Sequence, residues 1–328
     1  MKYPDHKSLG FPSLQMYEFP NFVNVEVYSG RCPCRCAHCP VGRTPPGKRK
    51  NRFGERAIDL GLFKKITDEM TEYPHATLRL HSVGEPLLWP DLIPALQYAH
   101  ERSVRTWLFT SAVTNNRLLL EEVCNFADVI EVSVNSTNAE DYAETKGVKA
   151  FKNVEANIRH MSQCLQTRRH SGRLLASRVQ SNSPAEDAAF VHVWKGSTWV
   201  DDAFVRTFHT YNNLLENQGP QSGRKSTHEP CLVHWGRFNI SAEGHVVACF
   251  NELFKEDRNE ILILGDINRQ GIAEIWQGEK LKAIRSAELK NDYSGLEFAE
   301  ILPCRNCTSC QPLFGHKETS ECQVFSTK

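Results

Sequence analysis

The sequence has no apolar run approaching the roughly 18 residues of a membrane span. Its amino terminus, Met1-Lys-Tyr-Pro-Asp-His-Lys7, lacks the apolar centre of a secretion signal. It also lacks an excess of either charge, since 39 Lys+Arg stand against 39 Asp+Glu for a formal net charge of zero. Nothing in that balance argues for nucleic acid or a membrane as partner. Without an export signal the chain is expected in a reducing, cytoplasmic compartment, where disulfides are rare. The 12 cysteines are then thiols available to metal rather than cross-links. A length of 328 residues with 40% hydrophobic content suffices for one large α/β domain and a small appendage.

The cysteines are unevenly spread. Four lie between 32 and 39, two stand alone at 124 and 164, and six follow residue 230. The first group sits in Ser29-Gly-Arg-Cys-Pro-Cys-Arg-Cys-Ala-His-Cys39, directly after Phe22-Val-Asn-Val-Glu-Val-Tyr28, which reads as a strand because Val and Tyr suit a pleated, half-buried surface. Cys32, Cys36 and Cys39 have the spacing C-x3-C-x2-C, which lets one loop wrap three thiolates around one inorganic cube. Three thiolates on a four-iron cluster leave one iron open for a substrate or cofactor. Cys34 falls outside that spacing and reads as a passenger thiol. A zinc knot is the plainer alternative, but zinc sites usually pair C-x2-C units with four ligands.

This loop resembles the signature of the radical S-adenosylmethionine (SAM) enzymes. The resemblance implies that the open iron chelates the methionine moiety of SAM and that one electron from the cluster cleaves SAM to a 5′-deoxyadenosyl radical. A second match lies one helix and one strand further on. Thr77-Leu-Arg-Leu-His-Ser82 alternates like a strand and runs into Val83-Gly-Glu-Pro86, which resembles that family's glycine-glutamate turn with Val83 in place of the commoner first glycine. The resemblance assigns the backbone of Gly84, Glu85 and Pro86 to the SAM ammonium group.

Between the two motifs, 43–56 holds six basic residues against one acidic. It reads as a solvated loop or as a basic flap for a carboxylate or an acidic electron donor. Helical periodicity covers 58–73, 91–102, 116–126, a helix pair reaching about 166, and 184–194; strands are expected at 104–110, 128–135, 173–180 and 203–208. Six β/α units predict a partial (β/α)6 TIM-type barrel, with chemistry at the carboxyl ends of the strands. Thr110, Ser111 and Asn115 close the third strand, Ser133 and Asn135 the fourth, and Ser177 or Arg178 sits on the fifth. The resemblance implies that such groups reach the ribose and carboxylate of SAM, which nominates Ser133, Asn135 and Arg178. His209 and Tyr211, beyond the sixth strand, are candidates to face adenine or substrate.

The composition changes near 218, so the expected organisation is an extension over 1–20, the barrel over 21–217, and a cysteine-rich α+β domain with a tail over 218–328. Phe238-Asn-Ile and His245-Val-Val-Ala flank Ala-Glu-Gly244 and read as a β-hairpin. Ile272 to Leu281 reads as a helix. Cys231 and Gly244 enclose twelve residues, and Gly244 and Cys249 enclose four. This spacing resembles the SPASM/twitch extension of radical SAM enzymes, where it opens an auxiliary iron-sulfur site. The chain then departs from the two-cluster form, offering C-x2-C-x2-C at 304, 307 and 310 and then Cys322. One auxiliary four-iron cluster on Cys231, Cys249, Cys304 and Cys307 is expected, with Cys310 competing for the last place and a zinc site as the alternative.

The implied activity is hydrogen abstraction from a small polar, carbohydrate- or aminocyclitol-like substrate, giving oxidation or epimerisation. Cys310 or Cys322 is a candidate hydrogen donor in the second case. The compact form, without an added amino-terminal domain of the kind that captures leader peptides, favours the small substrate. The alternatives are a maturase of a ribosomally made peptide or protein side chain, and a non-enzymatic iron-sulfur carrier. A reduced flavodoxin or ferredoxin-type donor is implied as partner.

Overall fold

A computed structural model of the chain describes residues 5–11, 13–167, 172–211, 214–215, 230–255, 259–307 and 313. Cys310 and Cys322 lie outside the described residues. Six parallel strands carry the amino-terminal part: β1 (Phe22–Ser29), β2 (Thr77–Val83), β3 (Thr106–Thr110), β4 (Val129–Ser133), β5 (Arg173–Val179) and β6 (Asp202–Arg206). Each adjoins the next, and helices cross between them, as the alternation predicts. The two faces differ. Val23, Val25, Val27, Leu78, Leu80, Leu108 and Ile130 pack with Phe63, Ile66, Leu96, Leu120 and Ile158 of the covering helices in the main core. The opposite face carries Asn24, Arg79, Phe109, Glu131 and Ser177, all of which line a cavity. Below them Trp107, Val129, Leu175 and Phe204 form a separate apolar layer.

Local signals account for the boundaries. Asp59 caps the helix Leu60–Met70 by accepting from Leu62 N at 3.0 Å. β3 starts two residues later than the pattern suggests, because Ser103 takes φ 57° and Val104 N bonds back to Ala99 O at 3.0 Å to end the preceding helix. The helix expected over Ile272–Leu281 stops at Trp276. Gly278 is extended and caps a second helix, Glu279–Lys290.

The carboxy-terminal part extends the same sheet. β7 (Arg237–Ile240) pairs in parallel with the free edge of β1, from Phe22↔Arg237 to Val25↔Ile240. β8 (His245–Val247) and β9 (Ile263–Asp266) follow antiparallel, giving the order β6-β5-β4-β3-β2-β1-β7-β8-β9. The expected hairpin is β7/β8, with Gly244 at φ 92° in its turn. β9 adds a third strand to this hairpin.

Polar contacts seal the two parts together. Both carboxylate oxygens of Glu69 accept backbone N–H groups at the start of the helix Ile272–Trp276, Ile272 at 2.8 Å and Ala273 at 2.9 Å. Arg56 pairs with Glu243 at 2.6 Å, Lys65 Nζ donates to Ile267 O, and Trp276 Nε1 donates to Tyr17 O at 3.1 Å. We therefore expect the cluster-free protein to unfold in one denaturant transition. Glu69→Ala, which strands two N–H donors, should lower its stability by about 1–2 kcal/mol. Two separated transitions in the wild type would contradict this coupling.

Candidate functional site

The loop after β1 is held from both sides. Arg49, buried on the short helix Pro46–Phe53, donates to Cys32 O at 2.7 Å, Cys34 O at 3.0 Å and Thr44 O at 3.0 Å. From the other side, Arg35 N bonds Lys146 O at 2.7 Å and Ala37 N bonds Thr145 O at 3.2 Å. The packing leaves no spare room, since a Cβ on Gly42 would lie 2.3 Å from Cys36 O.

Within the loop Cys34 is only 1% exposed. Hydrogen bonds from Cys32 and Cys36 pull its thiol well below the ordinary range and push those two partners up. Cys34, outside the C-x3-C-x2-C spacing, thus lines the cavity beside the three spaced thiols. Burial also raises the Cys39 thiol, opposed by backbone N–H groups of Gly42 and Val41.

The turn after β2 locks onto this loop. Glu85 N bonds Arg31 O at 2.8 Å and Gly30 N bonds Val83 O at 2.9 Å. A Cβ on Gly84 would lie 2.4 Å from Arg31 O. The Glu85 carboxylate clamps the end of β3, accepting from Thr110 Oγ1 at 2.7 Å, Ser111 N at 2.9 Å and Ser111 Oγ at 2.5 Å. Burial raises its pKa, and those hydroxyls oppose the rise.

One cavity of about 420 Å³ receives both cysteine regions: Cys32, Cys34, Cys36 and Cys39 line one part, and Cys231, Cys249, Cys304 and Cys307 another. Gly84, Glu85, Pro86, Thr110, Ser111, Ser133, His209 and Tyr211 line it too. Asn135 and Arg178 do not. Asn135, at φ 66°, accepts from Val179 N at 2.6 Å, and Arg178 donates to Asn135 O at 2.6 Å while pairing with Asp187 at 2.8 Å. They brace the ends of β4 and β5 behind Ser133.

Sequence reasoning missed Lys146, which lines the cavity at 2% exposure and donates to Ser133 O at 2.6 Å. Burial disfavours its charge, but the neighbouring Cys36 and Cys34 thiols outweigh burial and hold it above the ordinary lysine range. No local signal distinguishes it from any other lysine near a helix end.

The second thiol group is built from three elements. Cys231 precedes the short helix Leu232–Gly236, Cys249 follows β8, and Cys304 lies within the short helical turn Pro303–Asn306 that Cys307 ends. Burial raises the Cys249 thiol first, and proximity to Cys304, Cys307 and Cys231 raises it further. Behind them His234 Nδ1 meets Glu288 Oε1 at 2.6 Å, and His234 Nε2 lies 3.6 Å from Cys304 Sγ. Trp235 Nε1 donates to the other Glu288 oxygen at 2.9 Å.

The cavity floor carries the Asn24–Asn239 amide pair at 2.8 Å and an Arg206–Glu131 ion pair at 2.6 and 2.5 Å. The Arg79 guanidinium stands over the Phe22, Trp107 and Phe109 rings at 5.0, 4.9 and 4.8 Å. Both thiol groups face one cavity, and in donor number and softness Cys32, Cys36 and Cys39 fit an iron-sulfur centre with one open iron while Cys231, Cys249, Cys304 and Cys307 fit a fully ligated one.

Comparison with known proteins bears on the carboxy-terminal group and on the fold. The SPASM family, an iron-sulfur cluster-binding domain, matches residues 231–308. YfkA of Bacillus subtilis is 34% identical over 144 residues, 41% of this chain, so the alignment spans only 35% of that protein's length. The PqqA peptide cyclase of Bradyrhizobium diazoefficiens is 23% identical over 349 aligned positions, covering 95% of this chain and 84% of that one. Among solved structures, BtrN in complex with AdoMet and 2-DOIA has a TM-score of 0.53 at 17% identity, over 88% of this chain and 92% of BtrN; that likeness concerns the fold.

Gly84→Ala should displace the cysteine loop through the Arg31 carbonyl. We expect about half the reconstituted iron to be lost and the cluster-free protein to be destabilised by about 1–3 kcal/mol. Full iron content in this variant, measured with acid-labile sulfide, would show that the turn does not support the loop.

Proposed function

We propose that the chain is a radical SAM enzyme, with SAM and four-iron, four-sulfur clusters as cofactors beside its carboxy-terminal SPASM match, and that it abstracts hydrogen from a small polar, carbohydrate- or aminocyclitol-like substrate. In this reading Cys32, Cys36 and Cys39 hold the first cluster, and the backbone of Gly84, Glu85 and Pro86 with Ser133 receives SAM. Asn135 and Arg178 fix the strand ends that carry Ser133. Cys231, Cys249, Cys304 and Cys307 hold one auxiliary cluster. When bound, the first cluster and SAM supply a 5′-deoxyadenosyl radical that removes a hydrogen atom from an unactivated carbon.

The observation that carries the substrate reading is the cavity itself. Its floor offers the Asn24–Asn239 amides, the paired Arg206 and Glu131, and the Arg79 guanidinium held over aromatic rings, a polar setting suited to hydroxyl-bearing ligands. The auxiliary cluster, if held by Cys231, Cys249, Cys304 and Cys307, would supply a one-electron acceptor, and a substrate that loses that electron and a proton to solvent would leave as an oxidised product. The product is an epimer if a thiol returns hydrogen from the opposite face, the role proposed for Cys310 or Cys322. Modification of a ribosomally made peptide is the second reading, supported by the near full-length alignment with a peptide cyclase.

Iron and sulfide counts after anaerobic reconstitution test the cluster assignment. About eight irons per chain should fall to about four in a Cys32/Cys36/Cys39 triple alanine variant. About four irons falling to none, with zinc present, would move the second thiol group to a structural role. Substrate class is tested by 5′-deoxyadenosine formation with a panel of aminocyclitols and sugars against candidate precursor peptides; stimulation by peptides alone would reverse the order of the two readings.

The electron is proposed to come from a reduced flavodoxin or ferredoxin-type protein in the cytoplasm; among the described residues no helix is long and apolar enough to cross a membrane. Arg31, Arg35, Arg43, Lys48 and Lys50 are exposed on or beside the cysteine loop, and Glu55 is the one acid in 43–56, pairing with Arg31 and Lys50 at 3.4 Å each. An acidic donor is complementary to this face. Lys48→Glu with Lys50→Glu should slow flavodoxin-driven SAM cleavage about tenfold at low salt and leave dithionite-driven cleavage unchanged. Equal loss with both reductants would mean that the face does not receive the donor.

A further inference from the structure

Outside the cavity, the two cysteines that stand alone in the sequence sit between the helices Arg117–Phe126 and Phe151–Gln166. Cys124 is buried in their apolar seam, its Sγ 3.7 Å from Met161 O. Cys164 is different. It lies one turn after His160 on one helix face, and His160 Nε2 is 3.8 Å from Cys164 Sγ and 3.1 Å from Glu121 Oε1 of the facing helix. All three donor atoms lie within 4.8 Å of one another.

A single imidazole nitrogen carries one hydrogen or one lone pair. It therefore serves either the carboxylate or the thiol well, whereas a cation serves all three ligands at once. For a tetrahedral zinc ion with ordinary bond lengths, nitrogen and oxygen ligands stand about 3.4 Å apart and nitrogen and sulfur about 3.6 Å apart. The observed separations lie within a few tenths of an ångström of both. The His160 side chain is 18% exposed and that of Glu121 43%, so the outer side is open to a water as fourth ligand.

We propose that Glu121, His160 and Cys164 form a zinc site that ties the helix Arg117–Phe126 to the helix Phe151–Gln166. On binding, the Cys164 thiol loses its proton to solvent and its sulfur bonds the metal, with no change of oxidation state. None of the three residues lines the large cavity. The site is thus separate from both thiol groups assigned to iron and does not depend on that assignment.

The test uses the anaerobically reconstituted protein, given zinc ions and passed through gel filtration. The wild type should retain about one zinc more than Cys164→Ser or His160→Gln, at unchanged iron, and zinc affinity should fall about 100-fold in either variant. Zinc should raise the thermal midpoint of the wild type alone. X-ray absorption at the zinc edge should show one sulfur with nitrogen and oxygen scatterers. Equal zinc in wild type and both variants would overturn the site, as would a coordination shell of sulfur only, which would mean that zinc had entered the iron-sulfur cysteines. Circular dichroism of the variants separates loss of the site from loss of the fold.

Discussion

β1 is hydrogen-bonded along both edges, and the rest of the site depends on that. Its pairing with β2 sets the cysteine loop beside the Gly84–Pro86 turn, while its pairing with β7 brings the hairpin that delivers Cys249. One eight-residue strand, Phe22–Ser29, thereby fixes two thiol groups about the same cavity. Its alternation serves both faces: Val23, Val25 and Val27 anchor it in the main core, and Asn24 reaches across to Asn239 on β7. A slip by one residue would exchange those faces and turn the valines into the cavity.

Gathering eight thiols about one cavity is electrostatically costly when any of them ionises, as the seven proposed to hold clusters would have to. Positive groups are built in around them. Arg49 spends its donors on loop carbonyls, which orients the loop and places a guanidinium behind it. Lys146 stands on the other side, anchored on the strand end that carries Ser133. At the second group, Glu288 bonds His234, Trp235 and the Cys231 amide together, so that one carboxylate organises the backbone start and the imidazole next to Cys304. Both thiol-bearing segments are thus positioned by hydrogen bonds from distant elements and not by the loops' own sequence.

That distinction explains what was legible beforehand. Alternation revealed all six parallel strands, because each presents apolar residues to the helices at period two. The cysteine spacing and the Gly-Glu-Pro turn revealed one motif each, because a single loop carries all its parts. What escaped was long-range: the hydrogen bonds of Lys146 across to the loop at 35, of His234 to Glu288, and the parallel pairing of 22–25 with 237–240. Asn135 and Arg178 show how position at a strand end leaves orientation open. Their place suggested ligand contact, and in the fold Asn135 bonds Val179 N and Ser133 Oγ while Arg178 bonds Asp187 and the Asn135 carbonyl, outside the cavity lining. The helix break at Gly278 was hidden because Ile272 to Leu281 keeps an apolar period through it.

The cavity floor sets the terms for whatever binds there. Arg206 and Glu131 already satisfy each other through two short bonds, and Glu131 is 1% exposed, so a charged ligand would have to break a buried ion pair to gain one contact. A neutral hydroxyl adds a donor and an acceptor without disturbing that pair. The Asn24–Asn239 contact uses one donor and one acceptor and leaves Asn24 Oδ1 and Asn239 Nδ2 without partners, at the edge of the same cavity. Buried amide atoms of this kind are satisfied by a ligand that presents matched donors and acceptors at short spacing, which vicinal hydroxyls on a ring do. A peptide offers the same atom types only if its backbone reaches the floor. The depth at which a substrate must sit to contact Asn24, rather than the cluster chemistry common to both readings, is therefore what separates a ring-shaped polar ligand from a chain.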